Sequence, residues 1–325
     1  SALLAIGAGR MRLGEISALT GATVDEVVQV AEELQAARIV HGERDRIWIA
    51  HDLFRRAIYY ELSEPRRAVL HRRMAMFLGD REDPPADELA THLDLAGDAS
   101  AAAGYAWLAG ERCLARGTVA EAAHFYAVTA RNDTDPRRVA EATARQGIAH
   151  HLGRDMARAA PVLELASLRL RALGDLHQAR RIDIRRAEAL AEDGNAETAD
   201  LIARLRAIKE EAQDEEDWEA VALALDGELK ACLLSEQLPR VNEITAELES
   251  LDGRGESYAQ VAVNGAMSIG LMLTSADRAR AAARRALDHT RPKDWSRLVA
   301  INRLFMVLVQ QGRALTGEAI ELVSE

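Results

Sequence analysis

Histidine and carboxylate side chains occur at spacings that could support metal or acid–base chemistry in three short segments of this 325-residue chain. The segments are His51-Asp52, Glu121-x-x-His124 and His150-His151. The E-x-x-H spacing is used in di-iron bundles, but such a site needs a second E-x-x-H and further carboxylates, which the sequence lacks. Adjacent histidines on a predicted helix diverge by about 100° and cannot share a metal. The sequence therefore predicts no metal site and no catalytic residue.

The sequence also lacks the motifs with which a chain would bind ATP phosphates or a structural metal by itself. It contains no G-x-x-x-x-G-K-[ST] loop, no H-E-x-x-H helix and no C-x-x-C pair. Cys113 and Cys232 lie far apart in the sequence and form no metal or redox motif. We interpret them as small buried residues of a protein in a reducing compartment. We expect that this chain is not an enzyme and that it binds no cofactor alone.

The composition predicts a nearly all-α protein. Apolar residues make up 48% of the sequence and aromatic residues only 4%, and Ala and Leu, both strong helix formers, dominate. A formal net charge of −11 disfavours binding to nucleic acid, because phosphate contacts need clustered Lys or Arg. No segment is apolar over the roughly 18 residues that a membrane span needs. We therefore expect a cytoplasmic protein without membrane contacts.

The first 62 residues are predicted to form a winged helix, which is three helices followed by a two-stranded hairpin. The expected helices are Leu3–Gly9, Leu13–Leu19 and Thr23–Arg38, and the expected strands are Arg38–His41 and Arg46–Ala50. Gly21 supplies the left-handed conformation that ends the second helix. Thr23 and Glu26 have the spacing of a capping box at the start of the third helix.

The charge of the third helix argues against DNA recognition. Between Val24 and Val40 the sequence has four acids and one base, and the acids are Asp25, Glu26, Glu32 and Glu33. A helix that enters the major groove beside phosphates needs the opposite balance. A winged helix that packs against other domains or senses a nucleotide is the favoured interpretation.

Residues 63–98 are predicted to be linking helices, and residues 99–325 a right-handed α-solenoid of about six tetratricopeptide-like helix pairs. Small residues break the helices roughly every forty residues; they are Gly117, Gly153, Gly194, Ser235, Ser275 and Gly312. A second series marks the starts of the first helices of four pairs, at Leu176, Trp218, Tyr258 and Trp295. Trp218 and Trp295 each follow an Asp that can cap the helix. Stacked pairs would create a concave face for a protein or small-molecule effector.

The acidic run Glu210–Glu219 covers a predicted turn between repeats. A charged run of this kind is typical of a solvated surface. A site for a basic peptide is the alternative interpretation.

Two sequence segments around His51 resemble those of a known family. The first is Trp48–Tyr59 (WIAHDLFRRAIY) and the second is Pro65–Arg73 (PRRAVLHRR). They resemble the winged-helix-to-repeat junction of the signal-transduction ATPases with numerous domains, in the branch of large ATP-binding LuxR-type regulators. Asp87–Ala123 is similar to the first repeat pairs of the same proteins. The resemblance covers residues 10–130 and extends over the remainder only as a generic helical array.

The resemblance implies roles for several residues at the junction. In the wider family the equivalent histidine contacts the phosphates of ADP, so His51 would sense a nucleotide bound to an ATPase module upstream of this chain. Asp52 would cap the helix Leu53–Leu62. ATP or ADP would then be ligands of the parent protein. Further arginines on the two helices are candidates for contacts with neighbouring domains, and they are Arg55, Arg66, Arg67, Arg72 and Arg73.

These observations lead to three functional hypotheses. The first is a sensor and regulatory part of a bacterial signalling ATPase that acts as a transcriptional regulator, in which an effector bound to the repeats controls the upstream module. The second is a free-standing tetratricopeptide-like adaptor that binds protein partners. The third is a DNA-binding winged-helix regulator, which the acidic third helix disfavours.

Overall fold

The computed structural model describes residues 2–7, 9–192, 197–291 and 295–312. Within these ranges the protein is mostly helical, with 17 helices and one three-stranded antiparallel sheet. The chain divides into two compact units, residues 1–149 and residues 150–325. The helical class predicted from composition is confirmed.

The first unit begins with the small sheet and three helices. Its elements are α1 (Ala2–Gly7), β1 (Met11–Arg12), α2 (Leu13–Thr20), α3 (Val24–Ala36), β2 (Val40–Glu43) and β3 (Arg46–Ile49). The strand order is β1-β3-β2, and both pairings are antiparallel. The sequence predicted only a two-stranded hairpin. The third strand forms because Met11 pairs with Ile47, and both side chains are buried on one face of the sheet.

Local signals set the ends of the two helices between β1 and β2. Gly21 has a φ of 75° and ends α2 in the left-handed conformation, as predicted. The Thr23 hydroxyl accepts a hydrogen bond from the backbone N–H of Glu26, and the Glu26 carboxylate accepts one from the backbone N–H of Thr23. This reciprocal capping box confirms the predicted start of α3.

From Asp52 to Leu152 the chain forms six helices. They are α4 (Asp52–Glu61), α5 (Glu64–Gly79), α6 (Ala86–Leu95), α7 (Ala99–Ala115), α8 (Val119–Asn132) and α9 (Pro136–Leu152). In the first unit α5 packs on α6, α6 on α7, and α7 on α8. Apolar residues of the sheet, α2, α3, α5 and α6 share one buried core, which includes Met11, Ile47, Met74 and Leu89. This shared core holds α5 and α6 against the buried face of the sheet.

The second unit is made of helices in the residues that the structure describes. They are α10 (Met156–Ala172), α11 (Leu176–Glu192), α12 (Thr198–Asp214), α13 (Trp218–Leu234), α14 (Leu238–Ser250), α15 (Ser257–Leu271), α16 (Ala276–Asp288) and α17 (Trp295–Gln310). Helix α10 packs on α11, α12 on α13, α13 on α15, and α15 on α16.

The predicted breaks and helix starts in the second unit can be compared with these bounds. Helices α11, α13 and α17 begin at Leu176, Trp218 and Trp295 as predicted, and α15 begins one residue before Tyr258. Asp217 caps α13, because its carboxylate accepts the backbone N–H of Ala220 at 3.2 Å. The predicted break at Gly194 and the predicted cap Asp294 lie outside the described residues.

Candidate functional site

Helix α4 begins directly after β3, and this junction places the His51-Asp52 pair. His51 occupies the N-cap position with extended backbone (φ −138°, ψ 142°), and Asp52 is the first residue of the helix. The prediction that Asp52 caps the helix is wrong. Its carboxylate instead lies 2.8 Å from the guanidinium of Arg55 and 2.9 Å from that of Arg56, one turn further along. These two arginines hold the pKa of Asp52 below its usual value, with the hydrogen bond from Arg55 as the main cause.

The His51 imidazole is exposed at the start of α4. Its ring meets the ring of Phe54 edge-on, with centroids 5.9 Å apart. Its side chain makes no hydrogen bond to any residue that the structure describes, and no side-chain cap bond forms at this helix end. The first N–H groups of a helix point outward and carry a partial positive charge, which favours a nearby anion. The imidazole is therefore available to a group outside this chain.

The predicted interdomain arginines of α5 differ in their surroundings. Arg67 lies over the ring of Tyr59, 5.1 Å from its centroid. Arg72 donates a hydrogen bond of 3.3 Å to the backbone carbonyl at the C-cap of α6. Arg66 and Arg73 are exposed. Two of the four therefore brace the first unit internally, and two are accessible to a neighbour.

A cleft of about 1550 Å³ opens beside the sheet and α4. Its lining includes Arg10, which precedes β1, together with arginines of the sheet and α4, which are Arg12, Arg46, Arg55 and Arg56. It also includes carboxylates of α6 and α8, which are Asp87, Glu88 and Glu121. His51 is not among the lining residues. The predicted sensor histidine therefore lies outside this large charged cleft, which the sequence did not indicate.

A buried histidine pair lies beside this cleft. His71 of α5 and His92 of α6 face each other with 2.8 Å between their Nδ1 atoms. The Nε2 atom of His71 lies 3.3 Å from the Tyr59 hydroxyl. Burial lowers the pKa of His71 to about 4, and the nearby His92 and Arg67 contribute to the shift. Burial also lowers the pKa of His92. Both rings are therefore neutral near pH 7.

No protein-family model matches this sequence, and no curated protein is similar enough to serve as a relative. The geometry of the junction therefore carries the functional argument.

No helix within the described ranges combines the length and the apolar character that crossing a bilayer requires. The same ranges contain no group of three or more His, Cys, Asp or Glu side chains placed to hold a metal ion. At the E-x-x-H segment, the Cys113 thiol donates to the Glu121 carboxylate at 3.8 Å.

The acidic run Glu210–Glu219 spans the end of α12 and the start of α13, and basic residues of α10 and α11 contact it. The buried guanidinium of Arg180, only 1% exposed, lies 3.3 Å from Glu211, 2.8 Å from Glu215 and 3.3 Å from Asp217. Arg171 binds Glu211 at 3.0 Å. Most of the acidic residues in the run are solvent-exposed, as predicted, and Glu215 stays 49% exposed in its pair with Arg180. Asp217 departs from the prediction, because its side chain is only 6% exposed.

A second ionic cluster joins α11, α13 and α17. The carboxylate of Asp226 lies 2.8 Å from the guanidinium of Arg303 and 2.7 Å from the ammonium of Lys230, which also approaches Glu188 at 3.4 Å. Burial alone would raise the pKa of Asp226, but the two cations outweigh it and lower that pKa. Asp226 therefore stays charged and ties the three helices together.

Proposed function

We propose that this chain is the sensor and regulatory part of a larger bacterial signalling ATPase that acts as a transcriptional regulator. In this proposal residues 1–62 are a winged helix, residues 63–98 are linking helices and residues 99–325 are a tetratricopeptide-like solenoid. ATP or ADP binds to a module that precedes this chain. An effector that binds the repeats shifts the parent protein from a closed, ADP-bound population to an open one.

The element order of the N-terminal region supports the winged-helix part of the proposal. Three helices and a β-hairpin occur in the expected sequence, with the short strand β1 added to the hairpin. The four acids of the α3 region, Asp25, Glu26, Glu32 and Glu33, are all exposed. Their charge would repel phosphates, which favours contacts with protein over a DNA-recognition role for α3.

The second unit supports the repeat part of the proposal. Its successive helices pack as neighbours, and the helix starts recur about every forty residues. The cluster around Asp226 joins α11, α13 and α17, which are the first helices of three predicted pairs. First helices that lie side by side form the inner surface on which such arrays bind their partners.

The observation that carries the nucleotide-sensing role is the free, exposed imidazole of His51 at the start of α4. An anionic phosphate placed there would meet both the imidazole and the positive end of the helix. The neighbouring Asp52 does not oppose this contact strongly, because Arg55 and Arg56 neutralise its carboxylate.

The test uses the parent protein, in which the upstream module precedes this chain. ADP dissociation is measured for the wild type and for His51→Ala, with His41→Ala as the matched control, since His41 is also exposed but lies on the sheet. A lost hydrogen bond to a charged phosphate corresponds to about tenfold weaker ADP binding. Equal ADP retention by the wild type and His51→Ala would remove the sensor role.

A further inference from the structure

The exposed face of the sheet concentrates arginines. In the β1–β3 pairing Arg12 stands directly opposite Arg46, and both side chains are exposed. Their neighbours Met11 and Ile47 point to the buried face, so the two arginines share the outer one. Like charges directly opposite each other across two antiparallel strands are destabilising. The sheet therefore contains a repulsive pair of arginines, and a bound anion would reduce the repulsion between them.

A small pocket lies at this repulsive pair. Its volume is about 310 Å³, and it is lined by Arg10, Arg12, Glu43, Arg44, Asp45 and Arg46. Four arginines face two carboxylates, so the pocket is positively charged, in contrast to the whole chain with its net charge of −11. The volume is at the lower end of the range of small-molecule sites, roughly 300–1000 Å³.

The two carboxylates neutralise the pocket only weakly. Arg10 lies 3.5 Å from Glu43 and Arg12 lies 3.8 Å from Asp45, and all four side chains are more than half exposed. Exposed pairs of this kind contribute little, so a more highly charged anion can displace them.

The remaining two arginines are open to a ligand. Arg44 and Arg46 make no ion pair with any residue in the described part of the chain. Arg44 also has a φ of 55° in the two-residue turn between β2 and β3. Hairpin turns with positive φ favour Gly, Asn or Asp, so an arginine there is held at some conformational cost. The turn thereby presents a fourth guanidinium to the pocket.

We propose that this pocket, here called the wing-tip pocket and formed by Arg10, Arg12, Arg44 and Arg46 with Glu43 and Asp45, binds a compact ligand that carries two or more neighbouring phosphate groups. Guanidinium groups fit phosphate oxygens in a two-pronged geometry. Several phosphates are needed to satisfy Arg44 and Arg46 and to compete with Glu43 and Asp45. The site is separate from the His51 sensor and does not depend on it.

A compact ligand fits better than a long nucleic acid. Helix α3 packs on β2, and its exposed acids Glu32 and Glu33 lie on the same small domain. An extended duplex would meet the net negative charge of the chain, whereas a ligand confined to about 310 Å³ would be surrounded mainly by the four arginines.

The test titrates this chain with sodium tripolyphosphate in metal-free buffer at constant ionic strength, followed by calorimetry. Each lost charged hydrogen bond corresponds to about a tenfold change in Kd, so Arg46→Gln and Arg44→Gln are each expected to weaken binding about tenfold. Arg73→Gln is the matched control, because Arg73 is an exposed arginine of α5 that does not line the pocket. It is expected to bind tripolyphosphate like the wild type.

Thermal unfolding gives a second readout that separates binding from folding. Without ligand, Arg46→Gln is expected to melt at the same temperature as the wild type or slightly above it, because the repulsion with Arg12 is removed. With tripolyphosphate at the same concentration, the wild type and Arg73→Gln should gain more stability than Arg46→Gln.

Three results would overturn the proposal. One is equal tripolyphosphate binding by the wild type and Arg46→Gln. Another is equal weakening by Arg73→Gln, which would show a diffuse charge effect. The third is tighter binding of a 20-base-pair DNA duplex than of tripolyphosphate at the same salt, which would assign the arginines to a nucleic-acid backbone.

Discussion

The Nδ1 atoms of His71 and His92 lie 2.8 Å apart, and both side chains are almost excluded from water. Two ring nitrogens that face each other must share one proton, so one imidazole donates and the other accepts. If both rings were protonated, two positive charges would meet in a buried site, beside the guanidinium of Arg67. The hydrogen bond between α5 and α6 therefore requires that at least one of the two rings stay neutral.

Acid should weaken the first unit through this histidine pair. The pKa of His71 falls to about 4 in the folded protein, so protons bind the unfolded chain first as the pH drops. The contribution is complete above about pH 6.5 and is lost as the pH falls towards 4. The fall of the His71 pKa from 6.5 to about 4 corresponds to at most about 3 kcal/mol of stability. Denaturant unfolding at pH 7.5, 6.0, 5.0 and 4.5 would measure this loss.

The matched comparison uses two glutamine variants. His71→Gln/His92→Gln should lose less stability than the wild type between pH 6.5 and 4.5, because the titrating pair is gone. His41→Gln changes an exposed histidine and should keep the wild-type slope. Parallel curves for the double variant and the wild type would contradict the assignment.

The hydroxyl of Tyr59 should contribute to stability, whereas that of its neighbour Tyr60 should not. Tyr59→Phe removes the partner 3.3 Å from His71 Nε2 but keeps the ring under Arg67, so we expect a loss of about 1 kcal/mol. Tyr60 is 73% exposed, and Tyr60→Phe should stay within about 0.5 kcal/mol of the wild type. Chemical denaturation of both variants at pH 7.5 checks the difference, and equal effects would argue against the hydrogen bond.

Arg180 should be among the most sensitive charged positions of the second unit. Arg180→Met would leave Asp217, whose side chain is 6% exposed, without its buried cation, and such a break costs about 3–5 kcal/mol. Arg158→Met is the control, because the Arg158 side chain is 75% exposed in its pair with Asp155, and such pairs contribute about 1 kcal/mol or less. Urea unfolding measures both, and similar losses would show that burial does not set the cost.

The features that the sequence predicted well are those encoded within a few residues. The Thr23–Glu26 capping box and the Asp217 cap each depend on atoms three residues apart on one chain segment. The prediction that Asp52 caps α4 was wrong for a reason that is also local. Extended backbone at His51 moves the cap one residue back, and the nearby Arg55 attracts the Asp52 carboxylate into the helix.

The features that the sequence could not predict depend on distant pairing. Strand β1 has only two residues, too few for a propensity signal, and it forms because β3 lies beside it. His71 and His92 are on different helices, and only the packing of α5 on α6 brings their rings together. The apolar Leu70, next to His71, and Met74, one turn after Leu70, are the sequence signal that this histidine faces the core, and both are buried in the structure.

Two glycines of α15 should respond in opposite directions to the same substitution. A methyl group added at Gly270 would clash with the Thr245 hydroxyl oxygen and lie 3.1 Å from Leu229, so the Thr245 side chain or the helix α14 that carries it must shift. Gly270→Ala should therefore lose about 1–3 kcal/mol. A methyl group added at Gly265 would meet no neighbouring side chain or helix within 4 Å. Gly265→Ala should therefore gain about 0.5–1 kcal/mol of stability from its higher helix propensity. Thermal unfolding of the two variants tests the sign. A loss at Gly265 would contradict the open space there, and a gain at Gly270 would show that α15 does not pack as closely on α14 as this geometry requires.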